Sequence, residues 1–161
     1  DEYGGSYENR VRFLDQVLEA VRSVWPEEKP LEVRVTAEDY EEGGNQAEDL
    51  AIMLNLVKGR GVDSVNVSTG GLLPVVPKAF PGYQVPHAEV IKKATGLPVA
   101  AGGLMTEPAF ADSVLEDGKA DLIYLGRELL RNPYWPMHAS LELDAGQEWP
   151  EQYKRAIPSR R

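Results

Sequence analysis

The chain alternates between two hydrophobic spacings, and this alternation restricts its fold more than any other feature of the sequence. Its opening segment carries apolar side chains three and four positions apart, which is the spacing of one helix face. Four short runs of β-branched and small apolar residues follow, and a segment with helical character comes after each. The predicted strands are residues 31–36, 62–68, 97–101 and 120–125. The predicted order is therefore one helix followed by four strand–helix units.

The predicted helices begin and end at residues with known positional preferences. Ser6, with Asn9 three positions later, suits the start of the first helix, and Pro26 ends it. The apolar residues of this helix, from Phe13 to Trp25, are predicted to share one face. The second helix lies between glycines at positions 43–44 and glycines at 59 and 61. The later predicted helices are residues 86–95, 107–116, 128–131 and 133–143.

This alternation predicts an α/β fold, in which helices pack on a parallel sheet. The apolar run at residues 121–125 further predicts strands that are buried on both sides. Four strand–helix units are half of a (β/α)8 TIM barrel, a fold that usually needs about 250 residues. A half-barrel would leave two unpaired parallel edges. A four-stranded open α/β sheet is the alternative, and it needs no missing half.

Three segments stand outside the alternation. Residues 69–85 contain three glycines and three prolines and form a long predicted connection, which is uncommon unless it binds something or covers a site. Residues 146–161 are expected to be an extended or mobile C-terminal tail, separate from the region 1–145. Residues 1–6 resemble a loop that runs into a helix, so we expect either processing or missing sequence upstream.

Composition excludes several classes of function. The 161 residues are 42% hydrophobic and 27% charged, which is typical of a globular protein. Seventeen basic and 26 acidic side chains give a net charge of −9, so neither nucleic acid nor an anionic membrane is an expected partner. The absence of cysteine excludes disulfides and thiolate chemistry within this sequence. These features, with no apolar stretch long enough to span a bilayer, predict a cytoplasmic protein.

Glycines follow the last two predicted strands. Gly102 and Gly103 come after the third strand, and Gly126 and Arg127 come after the fourth. In a barrel, phosphate groups are commonly bound at this end of the strands, where glycine lets backbone N–H groups approach closely. An arginine beside them offers a fork of donors that suits two oxygens. The alternative is that the glycines are turn residues and Arg127 is a solvated surface cation.

Arg34 lies in the middle of the first predicted strand, between Val33 and Val35. If the valines face one side of the sheet, Arg34 faces the other, towards a barrel interior or its mouth. Arginine is rarely buried without a partner. From the residues alone, the expected partner is a carboxylate such as Glu38 or Asp39.

Five motifs occur in one order that resembles the C-terminal half of the old yellow enzyme family, and most closely its bacterial thermophilic-like ene-reductase class. The resemblance covers essentially the whole chain. The motifs are DEYGGS at 1–6 with ENR at 8–10 and RF at 12–13, VRVT at 33–36, NVSTGG at 66–71 with PGYQ at 81–84, GGLMT at 102–106, and DLIYLGRELLRN at 121–132.

The resemblance implies an FMN-dependent oxidoreductase that takes reducing equivalents from NADPH and reduces α,β-unsaturated carbonyl compounds. The four residues at the strand ends, Gly102, Gly103, Gly126 and Arg127, would bind the FMN phosphate. Arg34 would lie beneath the flavin and favour its reduced, negatively charged form. We prefer this role for Arg34 to a structural ion pair.

The resemblance also implies that this segment lacks catalytic residues. In the family, the histidine pair or histidine–asparagine pair that holds the substrate carbonyl precedes this segment, as do the proton-donating tyrosine and a cysteine near the flavin. His87 and His138 do not match these positions, and we interpret both as surface or packing residues. No cluster of carboxylates and histidines has metal-ligand spacing, so no metal is predicted. The segment alone is expected to be inactive.

The tail contains a Gln-Tyr-x-Arg motif that ends at Arg155. In the thermophilic-like class, a similar motif contributes its arginine to the neighbouring subunit, which implies a homo-oligomer. The tail continues through Pro158 to Arg161, beyond the expected end, and a disordered basic tail is the alternative.

Two other hypotheses remain open. The chain could be a non-catalytic half-barrel that self-associates and binds at most a phosphate-containing ligand. It could also belong to another phosphate-binding barrel, although that hypothesis does not explain the motifs at residues 1–13. The expected protein partner is either the chain's own N-terminal half or a second copy.

Overall fold

The computed structural model describes residues 1–74, 78–146 and 148–157. Four parallel strands form one sheet in the order β1-β2-β3-β4. One helix followed by four strand–helix units was the predicted order, and it is confirmed. The strands are β1 (Glu32–Thr36), β2 (Ser64–Ser68), β3 (Val99–Ala101) and β4 (Leu122–Ile123). The helices are α1 (Tyr7–Arg22), α2 (Ala47–Val57), α3 (Val85–Thr95), α4 (Pro108–Glu116), α5 (Arg127–Arg131) and α6 (Trp135–Glu142).

The order of the strands distinguishes the two predicted architectures. Right-handed crossovers that always lead to the next strand on the same side place the connecting helices on one face of the sheet. An open doubly wound sheet instead reverses its strand order, which puts helices on both faces. The strands here run in simple chain order, as they do in a barrel.

One face of the sheet is covered and the other is not. Val33 and Val35 of β1 and Val65 and Val67 of β2 are buried in the core on the helix side. The alternate residues face away from the core, and they are polar. These open-face residues pair across the two strands as Glu32 with Ser64, Arg34 with Asn66, and Thr36 with Ser68.

The prediction that the strands are buried on both sides holds for β3, whose three residues are all buried, but it is wrong for β4. Leu122 of β4 is 52% exposed, because no element of the described chain covers the open face near it. Parallel sheets are almost always covered on both faces. A parallel sheet with one open face is therefore unusual.

Helix α1 carries two apolar stripes where the sequence predicted one. Val11 and Leu18, seven positions apart, are buried against the core. Phe13 and Val17 form a second stripe on the surface, where Phe13 is 67% and Val17 40% exposed. The helix begins after Ser6, as predicted, and the Ser6 Oγ accepts a hydrogen bond from the Asn9 N–H. It ends at Arg22, four residues before Pro26, at which the sequence predicted its end.

The N-terminal ends of the strands are held by carboxylates. Asp63, just before β2, accepts hydrogen bonds at 2.7 Å from the Leu31 N–H and from Arg22 Nη2. The hydrogen bond from Leu31 is the main reason that the pKa of Asp63 is lowered. Asp121, just before β4, accepts from the Val99 N–H at 2.9 Å and pairs with Lys92 Nζ at 2.9 Å. Each aspartate thus joins a strand start to a neighbouring helix.

The described part of the tail contains a helix, so the expectation of an extended segment is wrong for residues 151–156. Trp149 is buried and its Nε1 donates to Ser140 Oγ at 3.3 Å. A 3₁₀ helix, Glu151–Ala156, follows, and the ring of Tyr153 lies 5.4 Å from that of Tyr134. Residue 147 and residues 158–161 lie outside the described residues, as do residues 75–77 of the predicted long connection. None of the helices in the described ranges is long and apolar enough to cross a bilayer.

Candidate functional site

A cavity of about 290 Å³ lies at the C-terminal ends of the strands. All four strands or the segments that follow them contribute to its wall. In (β/α)8 enzymes, this end of the strands is where the active site is found. The wall includes Arg34 from β1, Ser68 and Thr69 at the end of β2, residues 103–106 after β3, and residues 124–128 and 131 after β4.

The residues predicted to bind phosphate occupy one side of this cavity. Gly103, Gly126 and Arg127 all line it. Gly102 does not line it but packs against the ring of Tyr124, and a Cβ at Gly102 would lie 2.5 Å from that ring. The structure thus brings three of the four predicted residues together at one wall.

The backbone is open at Gly126, and Gly103 has a conformation that favours glycine. No atom lies within 4 Å of the position that a Cβ of Gly126 would occupy, so the main chain faces empty space there. Gly103 has φ +96°, a conformation that side chains other than glycine rarely adopt. Gly126 thus leaves room for a phosphate oxygen to approach the main chain, whereas a Cβ at Gly103 would lie 2.8 Å from the ring of Tyr83.

Arg127 is a cation without a partner in the described part of the chain, where no hydrogen bond or ion pair is formed by its side chain. The neighbouring cation, Arg131, is paired with Glu128 at 2.7 Å. An unpaired guanidinium beside an exposed glycine backbone matches the donor set that a phosphate monoester requires. The residues present therefore fit the phosphate end of FMN.

Arg34 projects from β1 onto the open face of the sheet and reaches the same cavity. Its Nη1 donates a hydrogen bond to Asn66 Oδ1 on β2. Its guanidinium carbon lies 5.0 Å from the centroid of the Tyr124 ring, within the range of a cation–π contact.

The carboxylates that the sequence offered as partners for Arg34 have other partners. Glu38 Oε1 accepts from the Tyr40 N–H at 3.1 Å, and Asp39 Oδ2 accepts from the Asn45 N–H at 2.8 Å. The expectation of an ion pair with either is wrong, because both side chains serve the turn after β1. Arg34 is left facing the cavity.

A polar network that the sequence did not predict supports the floor of the cavity. Gln84 is only 4% exposed, and its Nε2 lies 3.4 Å from Thr69 Oγ1 and 3.2 Å from the Tyr83 hydroxyl. The Tyr124 hydroxyl contacts Gln84 Oε1 and lies 2.9 Å from the Val67 carbonyl oxygen. Burial raises the pKa of Tyr124, although the charge of Arg34 acts in the opposite direction.

The other predicted residues lie away from the cavity. His87 is half-buried in α3, and His138 is exposed in α6, where its Nδ1 lies 3.3 Å from Asn132 Nδ2. Arg155 is exposed in the 3₁₀ helix of the tail. Among the described residues, the cavity wall contains no histidine, and its single carboxylate is the ion-paired Glu128. Its arginine side chains can therefore bind and orient an anion, and Tyr83 and Tyr124 are the other ionisable side chains of the wall.

Relatives of known name match nearly the whole chain. An NADPH dehydrogenase of Geobacillus thermodenitrificans is 50% identical over 155 residues, which are 96% of this chain and 45% of that relative. An NADPH dehydrogenase of Clostridium acetobutylicum is 46% identical over 158 residues, which are 98% of this chain and 46% of the relative. The chain thus spans somewhat under half the length of the curated relatives it matches.

Solved structures share the same arrangement of strands and helices. A 2-naphthoyl-CoA reductase superposes with a TM-score of 0.79 at 26% identity, over 88% of this chain and 22% of that one. The 6-hydroxypseudooxynicotine amine oxidase of Pseudomonas geniculata N1 superposes with a TM-score of 0.70 at 25% identity, over 90% of this chain and 22% of that one.

The family assignment agrees with the motifs and with the fold. The model of the NADH:flavin oxidoreductase / NADH oxidase family matches residues 1–145, which include all four strands and the whole cavity wall. The resemblance inferred from the motifs is confirmed. The chain belongs to the NADH:flavin oxidoreductase / NADH oxidase family.

Proposed function

We propose that this chain is the C-terminal, FMN-phosphate-binding half of a (β/α)8-barrel NADPH oxidoreductase. The observation that carries the proposal is the unpaired Arg127 beside the open backbone of Gly126, at the C-terminal ends of parallel strands. The names of the relatives, NADPH dehydrogenase, and the flavin in the family's description support FMN as cofactor and NADPH as reductant. Below, "the complete protein" means this chain together with the polypeptide that supplies the remaining strands.

Three incomplete surfaces support the half-barrel. β1 pairs only with β2, and β4 pairs only with β3, so in the described sheet both outer strands have one unpaired edge. The polar face of the sheet is uncovered, and the second apolar stripe of α1 is exposed. Four further strands with their helices would pair both edges, enclose the open face and cover the stripe. The barrel half is assigned to residues 1–145 and the tail to residues 146–161.

The residues of the cavity have separate roles in this proposal. Arg127 and the backbone at Gly103 and Gly126 bind the phosphate, with Gly102 giving the Tyr124 ring room beside them. Arg34 lies near the flavin ring, where a positive charge favours the reduced cofactor. When bound, FMN supplies the hydride-transfer chemistry, and the groups that hold the substrate and move its proton belong to the other half. α,β-Unsaturated carbonyl compounds are the proposed substrates, on the strength of the ene-reductase motifs.

Arg155 is proposed to act in trans. Its motif at 152–155 matches the class in which the tail arginine enters a neighbouring active site. Its exposed position away from its own cavity is compatible with that role. The proposal therefore includes a homo-oligomer of the complete protein.

Flavin titration of the complete protein tests the phosphate site. Loss of a charge-assisted hydrogen bond costs about 1.5–3 kcal/mol, so Arg127→Ala should weaken FMN binding roughly 10- to 100-fold. Arg131→Ala is the matched control, because this arginine lines the same cavity but is already paired with Glu128. Unchanged FMN affinity in Arg127→Ala, or an equal loss in both variants, would contradict the assignment.

A self-associating half-barrel without catalytic activity is the second candidate. The same unpaired edges of β1 and β4 favour it, since two copies would also supply eight strands. Mass spectrometry under native conditions, combined with the flavin absorbance band, distinguishes the two. Two copies of the 161-residue chain without flavin support self-association, whereas a longer or second polypeptide with bound flavin supports the oxidoreductase.

A further inference from the structure

We propose that Tyr124 and Asn66 are positioning residues that fix the guanidinium of Arg34 from two sides, so that its charge stays at one place beneath the flavin. This inference rests on the proposed function and adds to it two residues that act through a third. Glu32 lies on the same face of β1 as Arg34. Arg34 nevertheless forms no ion pair with a described residue, and its contacts on this face are Asn66 and the ring of Tyr124.

Asn66 holds Arg34 from the neighbouring strand. The two residues are direct partners in the parallel register of β1 and β2. Arginine can only donate hydrogen bonds, so the amide oxygen of Asn66 must face it. The amide nitrogen then points to Glu32, whose Oε1 lies 3.5 Å away and can only accept. The chemistry of both neighbours therefore determines the orientation of the amide.

Tyr124, which follows β4, contacts Arg34 of β1 across the open face of the sheet. Small residues on the intervening part of the chain make this contact possible. The register places Ala100 between Asn66 and Leu122, and Gly102 follows two positions later. The ring of Tyr124 lies against Gly102 so closely that a Cβ there would come within 2.5 Å of it. Because Ala100 of β3 and the following Gly102 have only a methyl group and a hydrogen as side chains, the Tyr124 ring can extend over β3 and contact Arg34.

The outer end of the Tyr124 ring is itself fixed. Its hydroxyl contacts the buried Gln84 side chain and the Val67 carbonyl oxygen. Gln84 is in turn held near Thr69, at the end of β2. The Tyr124 ring that contacts the guanidinium is thus fixed at its hydroxyl end.

The position of the Arg34 guanidinium affects the relative affinities of the protein for reduced and oxidised FMN. A cation favours the reduced flavin only while it remains near the ring, and an unsupported arginine side chain has many rotamers that point elsewhere. Loss of either support should therefore lower the ratio of the affinities for reduced and oxidised FMN. That ratio follows from the midpoint potential of the bound flavin and does not require turnover.

The test compares the midpoint potential in four single variants and two double variants of the complete protein. Tyr124→Leu removes the ring and should lower the affinity ratio about three- to tenfold, in the same direction as Arg34→Ala. Tyr124→Phe keeps the ring and loses the hydroxyl anchor, so its change should be smaller. Asn66→Ala removes the other support and should also lower the ratio. In an Arg34→Ala background, neither Tyr124→Leu nor Asn66→Ala should have a further effect.

The outcomes separate this inference from the proposed function. If Arg34→Ala lowers the ratio but Tyr124→Leu and Asn66→Ala do not, the inference is wrong and the flavin role of Arg34 stands. An effect of Tyr124→Leu that persists without Arg34 also overturns the inference, since the tyrosine then acts by another route. If Arg127→Ala and Arg34→Ala both leave FMN binding and potential unchanged, the proposed function itself fails. Should Tyr124→Leu not fold, Tyr124→Phe and Asn66→Ala decide the question by the same comparison.

Discussion

At the N-terminal ends of the strands, Arg22 and Lys92 form ion pairs with carboxylates, whereas at the C-terminal ends Arg34 and Arg127 form no ion pair with a described residue. The aspartates at the first end also accept backbone hydrogen bonds, and they join strand to helix. At the second end, the glycine backbone is open and the cations face a cavity. The charges at the first end therefore hold the fold together, and in the proposed function those at the second end bind a ligand.

Two glycines at opposite ends give the sharpest test of this division. Gly61 precedes β2 with φ +84°, and a Cβ there would lie 2.6 Å from Arg22 Nε. Gly61→Ala should reduce the free energy of unfolding of the complete protein by about 1–2 kcal/mol, because the left-handed conformation is strained for alanine. FMN affinity should stay unchanged. Chemical denaturation and flavin titration measure the two quantities.

Gly126→Ala should show the reverse behaviour. The added methyl group meets no protein atom within 4 Å, so stability should be retained. It would instead occupy the space through which a phosphate approaches the backbone, and FMN affinity should fall on the order of tenfold, equivalent to one charge-assisted hydrogen bond. If Gly61→Ala weakens FMN binding, or Gly126→Ala destabilises the protein without affecting binding, the division between the ends does not hold.

A smaller effect is expected from the ion pair that holds the start of β4. Asp121→Asn keeps an acceptor for the Val99 N–H but removes the charge that faces Lys92. Since both side chains are partly exposed, the loss in the free energy of unfolding should be only about 0.5–1 kcal/mol. The flavin potential should not change. A changed potential at normal stability would show that charge at this end reaches the cofactor.

The smallest expected effect is a pH dependence of stability. The pKa of Asp63 is lowered in the folded chain, chiefly by the Leu31 N–H and also by Arg22. A carboxyl group with a lowered pKa binds protons more weakly when folded than when unfolded. Its stabilising contribution is therefore complete above the ordinary value of 3.8 and is lost as the pH falls below it. Asp63→Asn should flatten the decline in stability below about pH 4, and an unaltered acid-unfolding curve would contradict this role.

Much of the fold could be predicted from the sequence, because strand and helix spacings differ and both recur in order. The two stripes of α1 could not be separated in the same way. Val11 and Leu18 on one stripe and Phe13 and Val17 on the other all obey spacings of three, four or seven, and only the packed structure shows which pair is covered. The exposure of β4 was missed for a related reason, since an apolar run does not reveal whether a second layer is present.

The candidate site was only partly predictable. Gly103, Gly126 and Arg127 follow strands directly, so their meeting at one edge of a parallel sheet follows from the strand order. The contact between Tyr124 and Gln84 joins residues 40 positions apart on different elements, and no spacing in the sequence indicates it. Gln84 belongs to the PGYQ motif at 81–84, but the motif does not indicate that its side chain is buried and contacts the Tyr124 hydroxyl.

The central claim is that this chain is half of a barrel, and the molar mass of the isolated 161-residue chain tests it most directly. Light scattering at several concentrations should find no folded species at the monomer mass of 17.8 kDa, because both sheet edges and the open face then lack partners. Oligomers or aggregates are the expected result. A monodisperse monomer of that mass, with the circular dichroism of a folded protein and a cooperative unfolding transition, would contradict the half-barrel.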